Sequence, residues 1–192
     1  MGRLRRDFKI DLRVRGIAGS RAMRLVQGTV DLERWREEYA AGEGPVDLER
    51  FADHVHADQF PHAVIIDCSA NADVANRYAH WLSEGIHIVT PNKKANSAGY
   101  EYYERLRESR RAAGSHYLYE ATVGAGLPVI QTLRDLRETG DEIRRIEGMF
   151  SGTLAYLFNT WDGSQSFSSV VRQAKSLGYT EPDPRDDLSG MD

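Results

Sequence analysis

The sequence predicts an α/β fold, a parallel sheet built from βαβ units, with a change of pattern after about residue 124 that marks the start of a second, α+β region. Three observations carry that reading. Residues 63–69 (Ala-Val-Ile-Ile-Asp-Cys-Ser) form the continuous apolar run of a buried parallel strand. Residues 86–90 (Ile-His-Ile-Val-Thr) are the next strand, and between the two Val74, Tyr78, Trp81 and Leu82 recur at helical spacing. The links are short, as in crossover helices packed on one sheet.

The remaining elements follow in order. Over residues 8–18, Ile10, Leu12 and Val14 alternate strictly, a strand signal. Two helices then open at Val30-Asp-Leu-Glu-Arg-Trp35 and Val46-Asp-Leu-Glu-Arg-Phe51, each with an Asp suited to meeting the unpaired N–H groups of a first turn. With two copies and no further period, these are similar helix starts rather than a repeat. A helix spans 71–84 and ends at Gly85, another covers 99–113, and 116–120 is a short strand. Beyond it the pattern predicts a helix from near Gly126 to Gly140, a strand over 142–148, a short helix from near Ser151 and an amphipathic helix over 166–177.

Composition excludes several classes. With 41% apolar and 28% charged residues the chain reads as globular, and a net charge of −4 argues against a nucleic-acid partner. The basic cluster Arg3 to Arg6 runs into Asp7 rather than an apolar stretch, so it is neither signal peptide nor anchor. Arg6 stands where a myristoylation signal needs Ser or Thr. No apolar run approaches the ~20 residues that span a bilayer, so no membrane partner is expected. The single cysteine, Cys68, excludes an internal disulfide framework and suits a reducing compartment, with cytoplasm as the default. Within an apolar strand, Cys68 reads as a small buried residue rather than a nucleophile. The histidines lack ligand-like spacing, so no zinc site is expected.

Three constellations have chemical potential. Glu181, Asp183, Asp186, Asp187 and Asp192 gather carboxylates at the C-terminal end, and Pro182 and Pro184 predict an extended, preorganised loop there. Such a set suits an ammonium group or a divalent cation; by composition alone it also describes a solvated acidic loop. Tyr119-Glu-Ala-Thr-Val-Gly-Ala-Gly-Leu-Pro128 follows a strand and opens a helix, where glycines and free N–H groups favour close approach of an anion. It is not a dinucleotide fingerprint, because Val129 stands where the third glycine would fall. A tight turn explains the glycines equally well, and Glu120 beside free carbonyls suits a monovalent cation. Thr90-Pro-Asn-Lys-Lys-Ala95 lies just past a parallel strand, the edge where open α/β sheets bind ligands. A lysine there can hold phosphate or polarise a carbonyl, or simply be solvated.

Along the chain, Thr90-Pro-Asn-Lys-Lys-Ala95, Glu120-Ala-Thr-Val-Gly-Ala-Gly-Leu-Pro128 and Gly178-Tyr-Thr-Glu-Pro-Asp-Pro-Arg-Asp-Asp187 continuing to Asp192, with Phe150-Ser-Gly-Thr-Leu154 between the last two, closely resemble homoserine dehydrogenase. The resemblance runs from about Ile10 to Asp192 and is most specific over 63–192; Leu32-Glu-Arg-Trp-Arg-Glu-Glu38 is similar to the form fused behind an aspartate kinase. It implies interconversion of aspartate semialdehyde and homoserine with a nicotinamide cofactor, in threonine and methionine biosynthesis. It also implies a homo-oligomer for the complete enzyme. Lys93 would lie near the nicotinamide and the reacting carbonyl, and Ser69 would line the cofactor cleft. Glu181 and Asp192 would contact the substrate's amino end, while Gly152, Thr153 and Tyr179 line the same pocket and Gly178 approaches the cofactor. Glu120, Val123, Ala125 and Leu127 match positions that hold a structural sodium ion.

The first predicted strand leads into Gly16-Ile-Ala-Gly-Ser-Arg21 without the acid that NAD-binding domains use for the ribose hydroxyls. Ser20 and Arg21 suit a 2′-phosphate instead, so NADP is expected over NAD. The resemblance further implies an incomplete Rossmann-like sheet, with the first strand and its Gly-rich turn not represented. Residues 1–118 would be a partial nucleotide-binding domain and 119–192 a partial substrate-binding and dimerisation domain. The family's catalytic lysine would fall four residues beyond Asp192. The expectation is a homoserine dehydrogenase segment inactive on its own. The alternative is a non-catalytic remnant that keeps only ion binding or self-association.

Overall fold

A computed structural model describes residues 2–56 and 60–190. The chain opens with helix α1 (Gly2–Phe8), which the sequence patterning does not signal, and then crosses an irregular stretch to an antiparallel pair, β1 (Gly16–Ala18) and β2 (Met23–Leu25). The expected strand over 8–18 is therefore confined to its last residues. Alternation makes a strand only where a neighbour accepts its hydrogen bonds. Residues 16–18 pair with β2, whereas Ile10 and Leu12 stay 51% and 47% exposed.

Helix α2 (Trp35–Ala40) starts later than its expected opening at Val30. The Asp31 carboxylate accepts the Glu33 N–H at 3.0 Å and so holds a turn before the helix. Tyr39 of α2 packs its hydroxyl against Gly19, leaving no room there for a Cβ. Helix α3 (Leu48–Val55) begins as predicted, with Asp47 accepting from the Glu49 and Arg50 N–H groups at 3.0 and 3.1 Å.

The centre is a parallel sheet in the order β3 (Val64–Ile66), β4 (His87–Val89), β5 (Tyr117–Leu118). Between β3 and β4 the expected single helix divides into α4 (Ala72–Ala75) and α5 (Tyr78–Ser83). Asn71 caps the first segment, and the restart at Tyr78 directs its phenol to the end of β3 while Trp81 and Leu82 enter the core. Gly85 (φ 84°) ends α5, and α6 (Tyr100–Ala113) ends at Gly114 (φ 67°) before β5. Both glycines adopt the left-handed conformation that terminates helices at least cost.

One sheet face is packed and the other is not. Ile65, Ile88 and Tyr117 share a face and bury against Trp81 and Leu82 of α5, Leu106 of α6 and Ala52 of α3. On the opposite face Val64, Ile66 and Leu118 remain 41%, 66% and 46% exposed. The expected burial of 63–69 on both sides thus holds only for Ile65 within the strand. Cys68, expected to be buried, is exposed just past β3. At the N-terminal end of the sheet His62 stacks on His87 with ring centroids 5.7 Å apart, His116 leans on His87 at 5.1 Å with its ring tilted, and the His116 N–H donates to His87 Nδ1 at 2.9 Å. Burial first, then His116 and His62, depress the pKa of His87.

Helix α7 (Val129–Glu138) follows the glycine-rich turn, and α8 (Gly152–Thr160) and α9 (Phe167–Ser176) begin at their expected serines, Ser151 and Ser166, which accept from Leu154 and Ser169 N–H. Leu157, Val170 and Ala174 form a small core between α8 and α9. The strand expected over 142–148 is absent: the segment pairs with no strand among the described residues, and Ile146 is 53% exposed. The C-terminal acidic stretch, expected to be extended throughout, turns into α10 (Pro184–Ser189). Asp183 is extended (φ −109°, ψ 110°), as the residue before proline should be, but it caps the helix and Pro184 occupies the first turn, where its missing N–H costs nothing.

Candidate functional site

The C-terminal ends of β3 and β4 carry two loops, and a buried acid ties them together. Asp67, 6% exposed, ends the apolar run of β3. One carboxylate oxygen accepts the Ser69 N–H at 2.8 Å; the other accepts Asn92 Nδ2 at 2.9 Å and the Tyr78 hydroxyl. Thr90 closes the network, donating its hydroxyl to the Asp67 carbonyl and accepting the Asn92 N–H, both at 2.8 Å. Burial, then the bond to Asp67, push the Tyr78 phenol far above its usual pKa, so it stays a donor. Every polar group of this buried cluster has a partner, the condition under which such a network rigidifies a site.

Asn92, fixed in this way, also accepts the Lys94 N–H at 3.1 Å and starts a tight turn over Lys93–Ala95. That turn delivers Lys93 to the mouth of the sheet, where its Nζ donates to Glu181 Oε1 at 2.5 Å. The two are 88 residues apart in the chain. Together with Ser69, Cys68, Lys94 and Asp186 they line a cavity of about 210 Å³.

Glu181 is held from behind. Asp187, 1% exposed, accepts the Glu181 N–H at 2.8 Å, and its other oxygen lies 2.7 Å from the Thr153 hydroxyl. That hydroxyl also lies 2.6 Å from the Tyr179 carbonyl. Tyr179 packs edge-on against Tyr156 at 5.1 Å. Outside this clamp, Arg185 grips Asp183 and holds its carboxyl down to about 2.

Of the residues singled out from the sequence, Ser69, Lys93 and Glu181 therefore meet in one cavity, with Thr153 and Tyr179 directly behind it. Others stand apart. Ser20 and Arg21 are exposed on the β1–β2 turn and do not line the cavity. Gly178 (φ 75°) terminates α9, and Gly152 is the first residue of α8, with open space where a Cβ would point. Glu120 accepts the Ile130 and Gln131 N–H groups, both at 2.9 Å, capping α7 across the loop that holds Val123, Ala125 and Leu127. Asp192 lies outside the described residues.

Sequence reasoning assigned no role to Asp67, and it placed Asp187 only among the C-terminal carboxylates suited to an ammonium or a cation, not as the buried support of Glu181. A signal for Asp67 existed: an acid inside an otherwise apolar strand is costly unless partnered. Asp187 had none, because nothing local separates it from Asp183 and Asp186.

A family model described as "Homoserine dehydrogenase, NAD binding domain" matches residues 1–120, and one described as "Homoserine dehydrogenase" matches 128–192. The chain is 55% identical over 190 residues to a chloroplastic bifunctional aspartokinase/homoserine dehydrogenase of Zea mays, spanning 98% of this chain and 21% of that protein. It is 45% identical over 168 residues to a homoserine dehydrogenase of Schizosaccharomyces pombe, spanning 85% and 44%. A hyperthermophilic archaeal homoserine dehydrogenase solved with NADPH superposes with a TM-score of 0.79 at 24% identity, over 97% of this chain and 58% of that one, a likeness of fold. This chain thus spans a fifth to under half of the curated relatives it matches.

Proposed function

The chain belongs to the homoserine dehydrogenase family, and from that premise we propose that it is the segment of such an enzyme that brings an NADP cofactor and aspartate semialdehyde together at the end of the parallel sheet. The observation that carries this is the Lys93–Glu181 contact, which joins a loop of the sheet to the acidic C-terminal segment. On this reading residues 1–118 serve the nucleotide and 119–192 the substrate and dimerisation. The complete protein would be a homo-oligomer, joined to an aspartate kinase as in the maize relative, and would act in threonine and methionine biosynthesis. Cytoplasm remains the proposed compartment, although the maize relative is chloroplastic. Among the described residues no helix is long and apolar enough to cross a membrane.

The cavity residues suit the groups assigned to them. When bound, the nicotinamide supplies the hydride to the aldehyde carbon. The Ser69 hydroxyl and the Asn92-Lys93 turn flank its place in the cleft. Glu181 takes the substrate ammonium, assisted by Asp192, since a carboxylate binds it with charge-assisted hydrogen bonds. Lys93 then directs its Nζ at the carbonyl oxygen and donates a proton to the forming alkoxide. Gly152, Thr153 and Tyr179 shape the wall, and Gly178 meets the cofactor. Ser20 and Arg21 receive the 2′-phosphate. Sodium is assigned to Glu120 with the carbonyls of Val123, Ala125 and Leu127, a hard cation on oxygen ligands. Ala125 at φ 50° and Gly124 at φ 69° curl the loop that carries these carbonyls, while both Glu120 oxygens also accept N–H groups of α7.

Kinetics of the complete protein test this. Lys93→Met should lower kcat by about 10²–10⁴-fold, the usual worth of a positioned proton donor. Glu181→Gln should raise the KM for the semialdehyde. A Lys93→Met enzyme turning over at the wild-type rate would refute the assignment, and a clear preference for NAD would refute the role of Ser20 and Arg21. The 192-residue chain alone is expected to be inactive.

A further inference from the structure

On the flank of the sheet, α6 and α7 enclose a second, smaller cavity of about 140 Å³ beside β5. Its wall carries Arg107 and Arg110 from α6, Arg134 and Arg137 from α7, and one carboxylate, Glu138. Tyr119 stands within it, half-buried, under the charges of Arg134 and Arg110. It shares no residue with the cleft around Lys93.

Four guanidinium groups converge on this small space, Arg134 half-buried and Arg107, Arg110 and Arg137 exposed, so their like charges oppose one another in part and leave a local positive potential. Arg107 is paired, donating to Glu104 at 3.0 Å. Among the described residues Arg110, Arg134 and Arg137 make no ion pair, although Glu138 stands next to Arg137 in the chain and one turn on from Arg134. The cavity lies below the roughly 300–1,000 Å³ of pockets that enclose drug-sized ligands. A tetrahedral oxyanion suits that space, and planar guanidinium forks match its edges.

We propose that this Arg107–Arg110–Arg134–Arg137 cavity binds a dianionic phosphate group. A larger recess of about 690 Å³ adjoins it, sharing Arg107, Arg110, Arg134 and Glu138 and adding Arg111 together with two carboxylates, Glu104 and Glu108. The group therefore arrives either as free phosphate or as the phosphate of a small monoester whose body rests in the recess. Because α7 is the helix that Glu120 caps, an anion clamped between α6 and α7 also ties the sheet to the segment carrying the cation loop.

The test is calorimetric titration and thermal unfolding of the complete protein with inorganic phosphate and, separately, phenyl phosphate, ionic strength being held constant with sodium chloride. The wild type should bind inorganic phosphate saturably and unfold at a higher temperature in its presence. Tighter binding of phenyl phosphate assigns the monoester as the source; equal or weaker binding assigns free phosphate. Arg110→Gln/Arg134→Gln should lose at least about tenfold in phosphate affinity, since a charge-assisted bond is worth that or more. Arg110→Lys/Arg134→Lys retains the charge without the fork and should fall between. Absence of a phosphate effect on the wild type, or an equal response in the Gln or Lys variant, overturns the proposal. If the Gln variant does not fold, the Lys variant alone decides.

Discussion

Truncating Asp187 to Ala would remove the acceptor of the Glu181 N–H and of the Thr153 hydroxyl in a place 1% exposed to solvent. The hydroxyl has a second acceptor in the Tyr179 carbonyl, so one donor is left stranded. A stranded buried donor costs about 1–3 kcal/mol, so Asp187→Ala should lower stability by that amount in urea unfolding. If Glu181 holds the substrate ammonium as proposed, the complete protein should also show a KM for the semialdehyde raised more than kcat is lowered, because Glu181 loses its support. Unchanged unfolding would show that the clamp carries no weight. The Tyr78 hydroxyl makes a parallel case. It donates to the buried Asp67 carboxylate, and hydrogen bonds to charged groups are worth about 1.5–3 kcal/mol. Tyr78→Phe should lose that much while leaving Asn92 and Ser69 N–H on Asp67 to hold the loop. Retention of full stability by Tyr78→Phe would contradict it.

The histidine cluster at the N-terminal end of the strands makes β4 and β5 sensitive to acid. His87 Nδ1 must be unprotonated to accept the His116 N–H, and His62 and His116 both oppose a charge on it. Its pKa is lowered on folding, so the unfolded chain takes up a proton first. The contribution is complete above the ordinary value of 6.5, declines as pH falls below it and is lost at the depressed folded pKa. Urea midpoints should fall between pH 7.5 and 5.5, and His87→Gln should flatten that slope. An equally steep slope in the variant would assign it to other groups. The sequence hid this cluster because residues 62, 87 and 116 gather only when parallel strands align their ends. The same distinction sorts the other elements. Helices whose start is written locally, by Asp47, Ser151 or Ser166, begin where the sequence places them. Strands need a partner from elsewhere, so 9–15, alternating as it is, and 142–148 stay irregular.

At the scale of the whole molecule, the cleft was legible through three strings whose order is specific, while the supports behind it were not. Asp67 reaches Asn92 across 25 residues and Thr153 reaches Asp187 across 34, pairings that no local pattern announces. The uncovered sheet face belongs to this scale too. A parallel sheet normally has helices on both faces, yet Val64, Ile66 and Leu118 are largely open to solvent in this chain. Phe8, Ile10 and Leu12 add further exposed apolar surface near the start of the chain. A contiguous apolar patch of this kind is covered by another segment or drives association. The 192-residue chain prepared alone should therefore bind a hydrophobic dye and self-associate as its concentration rises. A form extended at both ends, to the length of the Schizosaccharomyces pombe relative, should do neither at this surface. Ile66→Lys distinguishes the sheet face from other sources: it should reduce dye binding and association of the short chain, because its side chain points to solvent and buries little there. Equal dye binding by the short and extended forms, or by the short chain with and without the lysine, would show that the open face of β3 is not what the rest of the protein covers.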